Sequence, residues 1–168
     1  MKFYTIDINY IIYLYSFDTE VYFNKTRHDY EKKPYIGTII FNDMIPYFIP
    51  LTSAKPKHLK LKNNGIDYLV IYENIDASEI HENDIIKHLD NATIKKLISI
   101  VDLRKAIPVA EGWYHEIDIR NHKDRDLLAK EYEFCKRKKD TIFNKAYNII
   151  LHQKKTKEIK FGYSTMIY

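Results

Sequence analysis

Hydrophobic periodicity divides this chain into unequal parts and restricts what it can fold into. Through the middle, from Tyr35 to Ile119, apolar residues fall in short β-rich runs broken by proline, glycine and Asn-Asp signals. A period of 3.6 takes over only from Asp124, and once more near the start, where Ile8, Ile11, Ile12, Leu14 and Tyr15 share one broad face. Strands in the middle with helices at both ends define an α+β chain, a curved antiparallel sheet or small barrel with helices packed around it.

The expected elements follow from local signals. Phe3 to Ile6 reads as a first strand, and Asp7 can cap a helix through Phe17. Thr19 to Lys33 is polar and reads as a loop. Tyr35 to Phe41 and Met44 to Leu51 are β-runs joined by Asn42-Asp43, and Pro46 and Pro50 place the second run at an edge or a bend. Asp67 to Tyr72 is another strand, Glu82 to Leu89 one or two helical turns, and Leu97 to Leu103, Ala106 to Val109 and Tyr114 to Ile119 are strands. A helix from Asp124 ends in the Lys136–Lys139 run, where cations suit the C-terminal dipole, and Asp140 or Thr141 caps a last one. With no repeat and no linker, residues 1–168 are expected to form a single domain.

Composition narrows the function classes. At 45% hydrophobic residues the chain can bury a core, which excludes disorder as a class. The single cysteine, Cys135, excludes an internal disulfide and a cysteine zinc site, fits a reducing cytoplasm, and reads as a small buried hydrophobe. No apolar stretch approaches membrane-spanning length and no signal-peptide core is visible, so a soluble cytoplasmic protein is expected. The histidines lack metal-ligand spacing, and no metal or cofactor is expected. Trp113 reads as a core residue.

The formal net charge of +4 says little, but its distribution is uneven. Lys55, Lys57, Lys60 and Lys62 crowd one segment with His58 among them, and Lys32 and Lys33 precede Pro34-Tyr35-Ile36-Gly37. Clustered cations suit a phosphate backbone, and the 15 tyrosines supply rings on which unpaired bases can stack. Thr52 and Ser53 end an apolar run just before Lys55, and hydroxyls beside lysines without a nearby carboxylate suit an anionic phosphate. Read alone, a Thr-Ser pair at a strand end is more often a turn or cap, and a lysine-rich loop is more often simply solvated.

These elements resemble the ToxN/AbiQ family, the toxins of type III toxin–antitoxin systems. The resemblance is carried by Lys2-Phe3-Tyr4, Lys33-Pro34-Tyr35-Ile36-Gly37, Pro50-Leu51-Thr52-Ser53-Ala54-Lys55-Pro56-Lys57-His58, Asn64-Gly65-Ile66-Asp67-Tyr68, Ile107-Pro108-Val109 and Ile117-Asp118-Ile119. Against the resemblance, Ala54 stands where the family often has proline, the segment from about Ala77 to Lys95 is longer than the family leads one to expect, and the tail after Lys160 has no counterpart. The resemblance implies a compact SH3-like β-barrel related to the Kid/MazF toxins. It also implies a metal-independent endoribonuclease that processes a repetitive RNA antitoxin and is silenced by its pseudoknot units in a closed protein–RNA assembly. Cellular or phage RNAs would be its targets, with growth arrest and phage defence as outcomes.

On that reading Ser53 orients or donates to the scissile phosphate. Thr52 carries the same chemistry, but alternation along an extended chain turns neighbours to opposite faces. Lys33 and Lys55 stabilise the phosphorane, and one of them protonates the leaving oxygen if neighbouring cations depress its pKa. Tyr30 resembles a loop tyrosine near the family's active site, or else is an ordinary surface aromatic. Lys32, Lys57, His58, Lys60 and Lys62 grip the RNA backbone, with a general-base role open to His58. The competing readings are a non-catalytic RNA-binding module, a DNA-binding regulator, for which no basic recognition helix is visible, and a serine hydrolase, for which no G-x-S-x-G elbow exists.

Overall fold

A computed structural model describes residues 1–21, 23, 33–40, 45–62, 64–89 and 93–157, with the backbone alone over 38–40 and 154–157. Among them are eight strands, β1 (Lys2–Ile6), β2 (Tyr35–Ile40), β3 (Pro46–Ser53), β4 (Tyr68–Ile75), β5 (Ile86–His88), β6 (Ile94–Asp102), β7 (Ile107–Pro108) and β8 (Tyr114–Glu116). The helices are α1 (Ile8–Phe17), α2 (Arg125–Arg137) and α3 (Lys139–Lys157). The α+β expectation holds.

All pairings are antiparallel, in the order β4-β6-β3-β2-β1-β8, with β5 beside β6 and β7 beside β3. The expected barrel is not closed: the path ends at β4 and β8, which do not pair among the described residues. Along its length β3 serves β2 and β7 first and β6 afterwards. Its first part pairs with β2 from Pro46 to Pro50, and its last three residues, Leu51 to Ser53, pair with β6. Pro50 lies at this handover, directly opposite Tyr35. β3 is thus a central strand, so of the two readings of its prolines the edge is excluded. Pro46 is tolerated because it is the strand's first residue.

The start of the chain follows its local signals closely. Asp7 accepts a hydrogen bond from the Asn9 backbone N–H at 2.7 Å, capping α1 as its sequence position requires. Ile11 and Leu14 of α1 bury against Tyr35, Phe48, Ile107 and Val109. Gly37 has a packing reason: a Cβ there would lie 2.5 Å from Tyr4 Cε2 and 2.9 Å from Phe48 Cε1, so only glycine lets these rings approach the strand.

The sheet's two faces are used differently. Leu51, Leu69 and Val101 face α2 and α3 and pack with Leu128, Cys135, Ile142 and Ala146. Thr52, Val70 and Ile100 point the other way, where Val70 and Ile100 are covered by Ala54, Leu59 and Leu61. Lys145 of α3 donates to the Asn64 side chain at 2.8 Å and to the Gly65 carbonyl, tying the end of the basic segment to the helical layer.

Two further expectations fail. Glu82 to Leu89 is not helical; a 3₁₀ turn over Ala77–Glu79 leads to β5, and the Ile85 carbonyl accepts from the Leu97 N–H at 2.8 Å. The open edge of β6 captures this segment, overriding a weak helical pattern. Trp113 is not core but 41% exposed, tilted against Tyr10 with ring centroids 5.5 Å apart. The last helix begins at Lys139, immediately after α2, and Cys135 is buried as expected.

Candidate functional site

The site is built where β3 hands over to β6. Thr52 pairs with Ile100 and so projects from the face opposite α2 and α3. Pro34, held by the bond from the Leu51 N–H to its carbonyl at 3.0 Å, brings Lys33 alongside. The Lys33 ammonium donates to Thr52 Oγ1 at 3.4 Å. After Ser53 the chain leaves the sheet and forms a 3₁₀ turn over Pro56–Lys60, which carries Lys57, His58 and Lys60.

Lys33 is the perturbed group of this set. Burial is the main cause and lowers its pKa to about 8, Lys55 pushes in the same direction, and Asp102 opposes them. The sequence expectation names neighbouring cations as the cause; desolvation does more. Asp102 belongs to the site, and no sequence signal points to it. It ends β6 two positions beyond Ile100, on the same face as Thr52, and only the strand pairing reveals that proximity.

His58 is committed to the turn. Its Nδ1 accepts from the Lys55 backbone N–H at 3.0 Å, while its own backbone N–H donates to the Lys55 carbonyl at 2.8 Å. An acceptor Nδ1 requires the neutral ring's proton to sit on Nε2. Burial first, then Lys57 and Lys55, lower its pKa and favour that neutral form. A general-base role conflicts with this geometry, because the free nitrogen already carries a proton. Donation from Nε2 to a phosphate oxygen fits it.

Ser53 and Thr52 diverge as alternation requires. Ser53 sits opposite Ser99, so its ladder position belongs to the helical face, yet as the last residue of β3 it is exposed. Beneath it Ser99 and Glu131 are both buried. Burial raises the Glu131 pKa to about 7, moderated by Ser99. Lys55, Lys57, Lys60 and Lys62 are exposed on and around the turn. Tyr30 and Lys32 lie outside the described residues.

A cationic turn with a partly buried, easily deprotonated lysine beside a hydroxyl is suited to binding and protonating phosphate esters. The model of the toxin ToxN family of type III toxin–antitoxin systems matches residues 2–166. The chain belongs to that family. A relative from Bacillus thuringiensis subsp. kurstaki, endoribonuclease ToxN, is 29% identical over 153 residues, covering 88% of this chain and 66% of the relative. The chain thus spans just under two thirds of that protein's length. Among solved structures, one showing that a processed non-coding RNA regulates a bacterial antiviral system aligns with a TM-score of 0.64 and 26% identity, covering 92% of this chain and 88% of the other. A type III system whose toxin is selectively inhibited by a non-coding RNA pseudoknot aligns with a TM-score of 0.61 and 28% identity, over 88% and 76% of the respective chains. Among the described residues, no helix is long and apolar enough to cross a membrane.

Proposed function

We propose that this chain is an endoribonuclease toxin that cleaves single-stranded RNA without a metal ion. The observation that carries this reading is the Lys33 ammonium, held 3.4 Å from Thr52 Oγ1 with its pKa lowered to about 8. The RNA 2′-hydroxyl attacks the adjacent phosphorus, the P–O5′ bond breaks, and a 2′,3′-cyclic phosphate and a 5′-hydroxyl result. Lys33 gives its proton to the departing 5′-oxygen, a task for which a pKa near neutrality is better matched than that of an ordinary lysine. Lys55 stabilises negative charge on the phosphorane. Thr52 holds Lys33, and the exposed Ser53 hydroxyl donates to a non-bridging oxygen from the strand end.

Lys57, Lys60, Lys62 and the Nε2–H of His58 grip the flanking backbone, with Lys32 and Tyr30 contributing from the adjoining segment. The inhibitor is an RNA antitoxin, by analogy with the pseudoknot-inhibited relative, held with the toxin in a closed assembly. Targets are cellular or phage RNAs in the bacterial cytoplasm. One domain carries the activity, since a single core cluster joins Phe3 to Ile150. The antiparallel sheet, in which β3 passes from β2 to β6, supports kinship with the SH3-like barrel of Kid/MazF toxins, the ring being left open.

Thr52→Val and Ser53→Ala test the division of labour. Both are expected to keep RNA affinity and lose about 10²-fold or more in cleavage rate. Thr52→Val should also move the alkaline limb of the rate profile to lower pH, because the charged Lys33 loses a hydrogen bond. Ser53→Ala should leave that limb in place. A wild-type protein that binds RNA and never cuts it would make the chain a binding module.

A further inference from the structure

A cleft opens beside the basic turn, on the sheet face that carries Thr52. Its walls are Leu59, Leu61 and Leu97, and its rim holds His58, Lys87 and Lys95 around Tyr72. Three observations give it a chemical character. Lys87 and Lys95 are directly opposite each other in the β5–β6 ladder, an arrangement of like charges that weakens a sheet. Neither forms an ion pair among the described residues, whereas the neighbouring Lys96 pairs with Asp84 at 2.8 Å. Lys95 instead rests on the Tyr72 ring, its ammonium 3.9 Å from the centroid.

We propose that this cleft binds one nucleotide of single-stranded RNA, adjacent to the step that is cut. The phosphate lies between Lys87 and Lys95 and relieves their repulsion. The base lies against Leu61, Leu97 and the Tyr72 ring, from which Lys95 is released toward the phosphate. The cleft is continuous with the proposed cutting site through His58, which lines it and also caps the turn beginning at Lys55. A base held here would give cleavage a sequence preference at the position beside the cut. The proposal rests on RNA being the ligand of the neighbouring site.

The test is equilibrium binding of labelled single-stranded RNA to wild type and to Lys87→Gln/Lys95→Gln, over a range of salt, with cleavage followed in parallel. Both substitutions are at partly or fully exposed positions, so folding should persist. The variant is expected to bind about tenfold more weakly, with the slope of log K against log salt reduced by about 0.7 for each phosphate it no longer neutralises. Its cleavage rate at subsaturating RNA should fall in step with that loss of affinity. An abasic scan should find one position beside the cut where removing the base weakens wild-type binding by about tenfold and the double variant by less. Equal affinity and equal salt slope for the two proteins would overturn the proposal, as would RNA that wild type does not bind at all. If the variant binds more weakly but wild type never cleaves, the cleft stands and the ribonuclease reading falls. If cleavage persists with binding unchanged, the reverse holds.

Discussion

Lys33→Arg is expected to bind RNA as tightly as wild type and to cleave it about 10²–10³-fold more slowly. Arginine keeps the positive charge, but its guanidinium stays protonated throughout the working range and cannot give up a proton there. If Lys33 served only to neutralise phosphate charge, arginine would be a mild change. As a proton donor with a pKa of about 8, Lys33 predicts an alkaline limb in wild type. The rate should fall about tenfold per pH unit above that point, as the ammonium form is depleted. The limb should vanish in Lys33→Arg and in Lys33→Met, which loses the charge as well. A pH–rate series at saturating RNA for the three proteins reads both effects. An arginine variant of near-normal rate would remove Lys33 from proton transfer.

The second large effect is on stability. Lys33 has a folded pKa of about 8 against 10.5 as its ordinary value, so between these pH values the unfolded chain binds more protons and stability rises with pH. The cost of holding the charged lysine in the site is fully present below pH 8, at about 3 kcal/mol. Glu131 gives the opposite slope on the other side of neutrality. Its folded pKa of about 7 against 4.5 means that the folded state binds more protons between them, so stability falls by about 3 kcal/mol as pH rises through that range. Taken together, these two groups place a stability minimum between pH 7 and 8. Lys33→Met should raise stability at pH 7 by about 3 kcal/mol and flatten the alkaline rise. Glu131→Gln should flatten the acid-side fall. Urea unfolding from pH 4 to 11 measures both, and a wild-type curve without either slope would contradict the burial of these charges.

Sequence signals reach the site unevenly, for physical reasons. Asp7, the Tyr35–Gly37 run and the α2 pattern are governed by local rules, and the structure follows them. The pairing of Lys33 with Thr52 is within reach because both belong to short motifs, although their 3.4 Å hydrogen bond depends on Pro34 being held by Leu51. Asp102 is out of reach, since nothing local links it to Thr52; only the ladder of β3 on β6 puts them on one face. The same limitation hides β5. Ile86 to His88 becomes a strand because β6 presents an edge, a fact about residues further along the chain. For the sheet as a whole, proline in β3 reads locally as an edge or a bend, and that Pro50 stands where the strand changes partners is visible only from its pairing with β2 and β6. His58 shows a further limit, because its assignment turns on which ring nitrogen caps the Lys55 turn, and spacing alone does not fix a tautomer.

The most direct test of the central claim is incubation of the wild-type protein with single-stranded RNA in excess EDTA, followed by analysis of the new ends. Cleavage that persists and leaves 2′,3′-cyclic phosphate and 5′-hydroxyl ends is the predicted result. Cleavage that stops with chelation, or that leaves 5′-phosphate ends, would contradict attack by the RNA's own hydroxyl and with it the role given to Lys33.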